Sequence, residues 1–231
     1  MVFTLKNRAR CETNGHDLSL PLKPRRVFLL SPANRTGIRA AQIVNPKSDL
    51  ELAQRLRAGT ASLGELFTFM SGLYFRGKLA YARAFASATP ELAGSFIITA
   101  SGGLVSPETL VTLEYLREIS AIDIDPSDAR YRTPLDRDLR QLSSLLGADG
   151  EIVLLGSIAT PKYAEPLLAA FGKRLVFPAD FVGRGDMSRG GLMLRCALAG
   201  TELVYVPLLE AQRRGRRPPK LAPLAHIRAS L

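Results

Sequence analysis

From residue 151 onward the chain alternates between short apolar runs and longer stretches of helical periodicity, and few folds accommodate that rhythm. Glu151–Leu155 reads as a buried strand, Gly156–Thr160 as a turn, and the following segment as a helix that opens on Pro161 and ends near Gly172. Arg174–Phe177 reads as the next strand. A glycine-rich opening then leads into a helix to about Ala199, and Glu202–Val206 reads as a further strand. Strands separated by helices connect by crossovers, and crossovers place strands parallel. The expected fold class is therefore α/β, a single domain over residues 25–210 with a mixed, partly parallel central sheet flanked by helices.

The N-terminal half is less regular. Asn14-Gly15, between loosely alternating apolar residues, predicts a hairpin over residues 1–24. Val27–Leu30 reads as a buried strand followed by a turn at Ser31–Gly37. Asp49 is the expected cap of a helix over Leu50–Arg57 that stops at Gly59. A second helix is expected over Lys78–Ala88 and a strand over Ser95–Thr99. Ser106-Pro107 is expected to open a helix running through Leu110, Leu113 and Leu116. Ala121–Tyr131 reads as an acidic connector, and Leu135–Leu146 as a helix ended by Gly147. No internal repeat stands out.

With 231 residues, 46% hydrophobic and 23% charged, the chain suits one soluble domain with a sizeable core. No apolar run is long enough to span a bilayer and no signal-type stretch follows the early charges, so a cytoplasmic location is expected. Cys11 and Cys196 are expected to be free thiols, because two distant cysteines make neither a disulfide framework nor a thiolate metal site. The net charge of +10 is uneven. Residues 1–210 hold 25 basic against 21 acidic residues, whereas residues 211–231 hold six basic residues and no acid. This basic tail, with Arg213, Arg214, Arg216 and Arg217, can neutralise phosphates, and a solvated tail without such a role is the alternative.

Phe181–Arg195 is the densest candidate site. Its glycines permit positive φ and close approach to a ligand, with Gly185 expected to need that freedom, while Arg184 and Arg189 beside a helix start favour an anion. Asp186, between the two arginines, is the candidate general base or ligand orienter. Helix capping or arginine pairing is its alternative role. Three turns follow predicted strands, at residues 31–37, 99–103 and 156–160. Parallel strands would bring them to one sheet edge, collecting Asn34, Arg35, Ser101, Ser157, Thr160 and Lys162 with Arg184, Asp186 and Arg189. Such a crevice is rich in donors and suits a nucleotide or another anionic, hydrogen-bonding ligand.

A second dense segment spans residues 67–78. Phe67, Phe69 and Phe75 read as core. Tyr74, Arg76 and Lys78 combine a stacking surface with cations, as base-stacking or nucleic-acid-binding residues do. Other chemistries have little support. Two histidines at opposite ends draw no zinc site or catalytic triad, and Asp123, Asp125 and Asp128 lack the glycine and closing glutamate of a calcium loop, so no metal is expected. Neither a P-loop nor a dinucleotide glycine motif is present, and no cofactor is expected. Zipper heptads and a DNA-reading basic helix are also missing.

Ser71–Ala82 followed by Ser95–Pro107 resembles the core of the YaaA-like proteins and related bacterial domains of unknown function, which carry a tyrosine and apolar helix and then a strand ending in a serine-glycine-leucine-proline pattern. The resemblance implies DNA binding and a link to oxidative stress, although no helix-hairpin-helix segment is evident here. Residues 3–16 faintly resemble the start of tRNA-guanine transglycosylases, whose barrel of about 250 residues exceeds this chain. The leading expectation is a protein that binds nucleic acid or a nucleotide, with action on a nucleobase as an extension. The alternatives are an enzyme for a small phosphorylated or carboxylated metabolite and a scaffold without an active site.

Overall fold

The computed structural model describes residues 24–221. The hairpin expected over residues 1–24 and the last ten residues of the basic tail lie outside them. A six-stranded mixed sheet forms the centre. Its four inner strands, β1 (Arg26–Leu30), β3 (Ser95–Ile98), β6 (Glu151–Leu155) and β7 (Leu175–Pro178), are parallel in the spatial order β3-β1-β6-β7. The short strands β4 (Leu104–Val105) and β8 (Tyr205–Pro207) run antiparallel on the two edges. Pro207 lacks an N–H to donate, which an edge strand tolerates. A separate ribbon pairs β2 (Ala61–Ser62) with β5 (Leu110–Val111).

Every residue of Val27–Leu30 and Ile152–Leu155 is fully buried, so side chains pointing to either face of the sheet are covered. The covering helices are α3 (Leu63–Ser71), α4 (Leu73–Phe85), α6 (Ala129–Leu146), α7 (Pro161–Phe171) and α8 (Asp186–Ala199), with the shorter α1 (Ile38–Val44), α2 (Glu51–Arg57) and α5 (Leu113–Glu118). Helix α4 packs on β1 and crosses α8, while α6 packs on α7 and α7 on β7. No helix among the described residues is long and apolar enough to cross a membrane.

Several boundaries differ from the sequence reading. The start of the helix expected after Pro107 is replaced by a turn and β5, and only then does α5 begin, capped by the Thr112 hydroxyl. Backbone groups of 107–111 are claimed by distant partners, among them the Gly64 amide on the Pro107 carbonyl and the β2 ladder, so a local helix loses to tertiary pairing. Helix α6 starts six residues early, capped by Asp128, and contains Pro134. The bond lost at the proline is outweighed by the buried stripe of Tyr131, Leu135 and Leu139. Leu50 rather than Asp49 caps α2, and α4 begins at Leu73, separated from α3 by Gly72 at φ 55°.

Helices α4 and α8 meet glycine to glycine. A Cβ on Gly77 would lie 2.5 Å from the Gly190 carbonyl oxygen, and one on Gly190 would lie 2.6 Å from the Leu73 carbonyl oxygen. Both obstacles are backbone, which cannot swing away. Gly190→Ala and Gly77→Ala are therefore expected to destabilise the fold by about 1–3 kcal/mol, against the gain of up to about 1 kcal/mol that alanine ordinarily gives a helix. Gly191→Ala, whose Cβ would meet nothing nearer than 3.5 Å, is the control and should be neutral or stabilising. Urea denaturation of the three variants reads the difference.

Candidate functional site

The chain places β3 on one side of β1 and then β6 on the other, so the loops after β1 and β6 diverge and leave a crevice outside the carboxyl ends of the strands. A cavity of about 370 Å³ occupies it. The loop after β1 contributes Ser31, Asn34, Arg35 and Thr36. The loop after β6 and the first turn of α7 contribute Ser157, Lys162 and Tyr163, and the helices add Ser71, Tyr74 and Asp186. Phe67, Ile119 and Ile124 supply apolar wall. A larger hollow of about 540 Å³ beside β4 has Arg137 as its only cation, and that side chain is bound to Asp138.

The loops are held in shape locally. The Asn34 side-chain oxygen accepts from the Thr36 amide and hydroxyl, and the Asn34 amide donates to the Ser71 hydroxyl. Arg35 donates to Asp123 at 2.7 Å, and both residues line the cavity. Ser157 accepts from the Ala159 amide at 3.3 Å. Asp186 is the first residue of α8, half of its side chain or more is exposed, and it lies 4.0 Å from the Arg189 guanidinium. It makes no capping hydrogen bond to its own helix. Thr160 caps α7 by position only and faces solvent.

Four expected members do not join the cavity: Thr160, which faces solvent, and three residues drawn to other partners. Ser101 donates to the Glu118 carbonyl at 2.5 Å and is drawn toward α5. Arg184 donates to the Asp180 carbonyl and the Ser188 hydroxyl, and Arg189 makes two bonds to the Phe181 carbonyl. At the short 3₁₀ turn Ala179–Phe181, the Arg184 guanidinium takes the Asp180 carbonyl, and Arg189 adds to the bond that the Phe181 carbonyl accepts from the Arg184 amide. The glycine that needs positive φ is Gly183, at 74°, whereas Gly185 is extended at φ −79° with open space around it. Gly183 also admits the backbone of Gly215 and Arg216, so the basic tail is seated on this turn, with Arg213, Arg214, Arg216 and Arg217 exposed.

The grouping of Tyr74, Arg76 and Lys78 is overturned. Arg76 is exposed beside Arg39 in a separate groove. Tyr74 is half-buried and lines the cavity, and the Lys78 ammonium lies over its ring, 4.0 Å from the centroid. Lys78 is 1% exposed and donates to the Ser31 carbonyl at 2.9 Å and the Ser31 hydroxyl at 2.6 Å. Helical spacing explains its burial: Phe75, Leu79 and Ala82 share its face of α4 and are all buried. A lysine within an apolar stripe was the signal available in the sequence. Ser31, Asp123 and Tyr163 were also not singled out as site residues.

Desolvation dominates the electrostatics here. It lowers the Lys78 pKa to about 7, with Asp186 pulling upward and Arg189 downward from farther away. It raises Tyr74 to about 12, an effect that Asp186 reinforces and Arg189 opposes, and it raises Tyr163 to about 12 as well. The Tyr74 hydroxyl is sealed from solvent with no hydrogen-bond partner in the protein, and Arg189 is near it without reaching bonding geometry. A buried hydroxyl in that state is a donor that a polar ligand can satisfy.

An unfolded lysine holds its proton to pH near 10.5, so between the two values the unfolded chain binds more protons and folding stability rises with pH. Unfolding free energy of the protein is expected to increase by about 2 kcal/mol from pH 7 to about pH 9. Lys78→Met should flatten that slope. The tyrosines and the Cys196 thiol, all raised by burial, act in the opposite direction as pH approaches and passes their ordinary values, so the difference between wild type and Lys78→Met in denaturant titrations at pH 7, 8 and 9 isolates the lysine. Comparison with known proteins adds no similarity to build on: no family model matches the chain, and no curated protein or solved structure matches it.

Proposed function

We propose that the crevice binds a nucleotide or a nucleotide-like phosphorylated small molecule. The observation that carries this reading is the convergence of Arg35 and Lys162, from the two loops that diverge at β1 and β6, on one cavity at the sheet's carboxyl edge. The first-turn amides of α7 add to the attraction for an anion. Asp123 and Asp186 accept hydrogen bonds from hydroxyl or ring N–H groups, Tyr163 and the isoleucines supply apolar contact, and the volume suits a single nucleotide rather than a polymer. A small anionic metabolite satisfies the same groups less completely, because it offers no donor to Asp186.

A second reading, binding of nucleic acid, is favoured by the four exposed arginines of the tail and their seat beside the opening of α8. The resemblance of residues 71–107 to the YaaA-like proteins points the same way. The two readings are separable. Calorimetry with nucleoside monophosphates should show binding that weakens about tenfold for Arg35→Ala and again for Lys162→Ala, each factor corresponding to about 1.4 kcal/mol. The matching nucleosides should bind no better than the phosphates do to the double variant. Affinity that is indifferent to both substitutions rejects the crevice.

Replacing Arg213, Arg214, Arg216 and Arg217 together by glutamine should leave mononucleotide binding unchanged. If the second reading holds, the same variant loses affinity for single- and double-stranded oligonucleotides alike and shows a shallower salt dependence. Unchanged oligonucleotide binding at low salt removes the tail from any such role.

A further inference from the structure

We propose that Ser31 and Lys78 form a nucleophile and general-base pair, with the Ser31 hydroxyl attacking the carbonyl carbon of an ester or thioester held in the crevice. The contact between them is short, at 2.6 Å from Nζ to Oγ, and Lys78 is walled off from water behind the serine. Ser31 itself lines the cavity at the carboxyl end of β1. Among the described residues the lysine has no carboxylate in direct contact. The groups facing it are the Ser31 carbonyl, the rings of Tyr74 and Phe75 and, farther off on α8, Asp186 and Arg189. A buried amine so placed loses its proton near neutrality, at a pKa of about 7.

Space and polarity around the hydroxyl suit an acyl carbon. Continuing the strand register beyond Leu30 sets Ser31 between Ile98 on β3 and Gly156 after β6, both uncharged. A Cβ at position 156 would come within 3.3 Å of Ser31 Oγ, so glycine there keeps the approach open. The cations of the crevice belong to the loops beyond, where they would hold the ligand's anionic group and leave a neutral carbonyl at the serine.

In the first half-reaction neutral Lys78 Nζ takes the hydroxyl proton as Oγ bonds to the carbonyl carbon. The tetrahedral intermediate then expels the alcohol or thiol, which receives that proton from the Lys78 ammonium, leaving acyl-Ser31. In the second, water gives a proton to Lys78 while its oxygen bonds to the acyl carbon, and Ser31 Oγ departs with the proton. The sum is ester plus water to acid plus alcohol. This pair goes beyond the nucleotide reading and is tested without a nucleotide.

The full chain would be treated with p-nitrophenyl acetate and, separately, with a small fluorophosphonate, and followed by intact-mass and peptide mass spectrometry. The expected result is one adduct per chain on Ser31, forming at a rate that rises with pH about a midpoint near 7. Ser31→Ala should abolish it. Lys78→Met should slow it by about 100-fold or more while circular dichroism shows a folded protein. No adduct on folded protein at pH 8.5, an adduct on another residue alone, or an unchanged rate in folded Lys78→Met would overturn the proposal. Should Lys78→Met fail to fold, the Ser31 adduct, its loss in Ser31→Ala and its pH midpoint decide the matter. Failure of nucleotide binding with the adduct intact would strike only the crevice reading.

Discussion

The glycine-to-glycine crossing of α4 and α8 is the contact on which the site depends. At Gly77 and Gly190 the two helix backbones touch with no side chain between them. That approach holds the mouth of α8 against the first turns of α4, so Asp186 and Arg189 come to bear on Tyr74 and Lys78. Side chains at the crossing would spread the helices toward the ordinary separation of roughly 8–10 Å. The cavity would then lose one wall, and the lysine would gain water.

Burying an ammonium without a paired carboxylate costs free energy, and nothing in the packing of α4 requires it. A leucine or methionine would continue the apolar stripe of Phe75, Leu79 and Ala82. What Lys78 contributes is a donor to both oxygens of Ser31, at the point where β1 ends and the crevice begins. Charge buried against the stability of the fold, next to a cavity, marks a functional position more strongly than charge on a surface does.

The two arginines of the glycine-rich segment show how backbone demands override apparent chemistry. A guanidinium near a cleft reads as an anion binder, yet Arg184 and Arg189 are consumed by carbonyls of the 3₁₀ turn that precedes α8. The cations that do line the crevice are instead Arg35, paired with Asp123, and Lys162 on the first turn of α7. Seating the tail backbone on Gly183 likewise turns an apparently free appendage into part of the surface beside α8.

Periodicity and punctuation alone determined the α/β class, the four inner strands, and helices α2, α7 and α8 to within about two residues, because each is a long or strongly bounded local signal. They also located the crevice, since loops at the carboxyl ends of parallel strands must meet, and Asn34, Arg35, Ser157, Lys162 and Asp186 do line it. Elements whose backbone is satisfied at a distance were not legible: β5 displaced the start of an expected helix because its partner, β2, lies about 50 residues away in the chain. The roles of Ser31 and Lys78 were decided by tertiary structure for the same reason. They are 47 residues apart, and only the docking of α4 on β1 brings amine to hydroxyl and removes the water that would otherwise keep both ordinary.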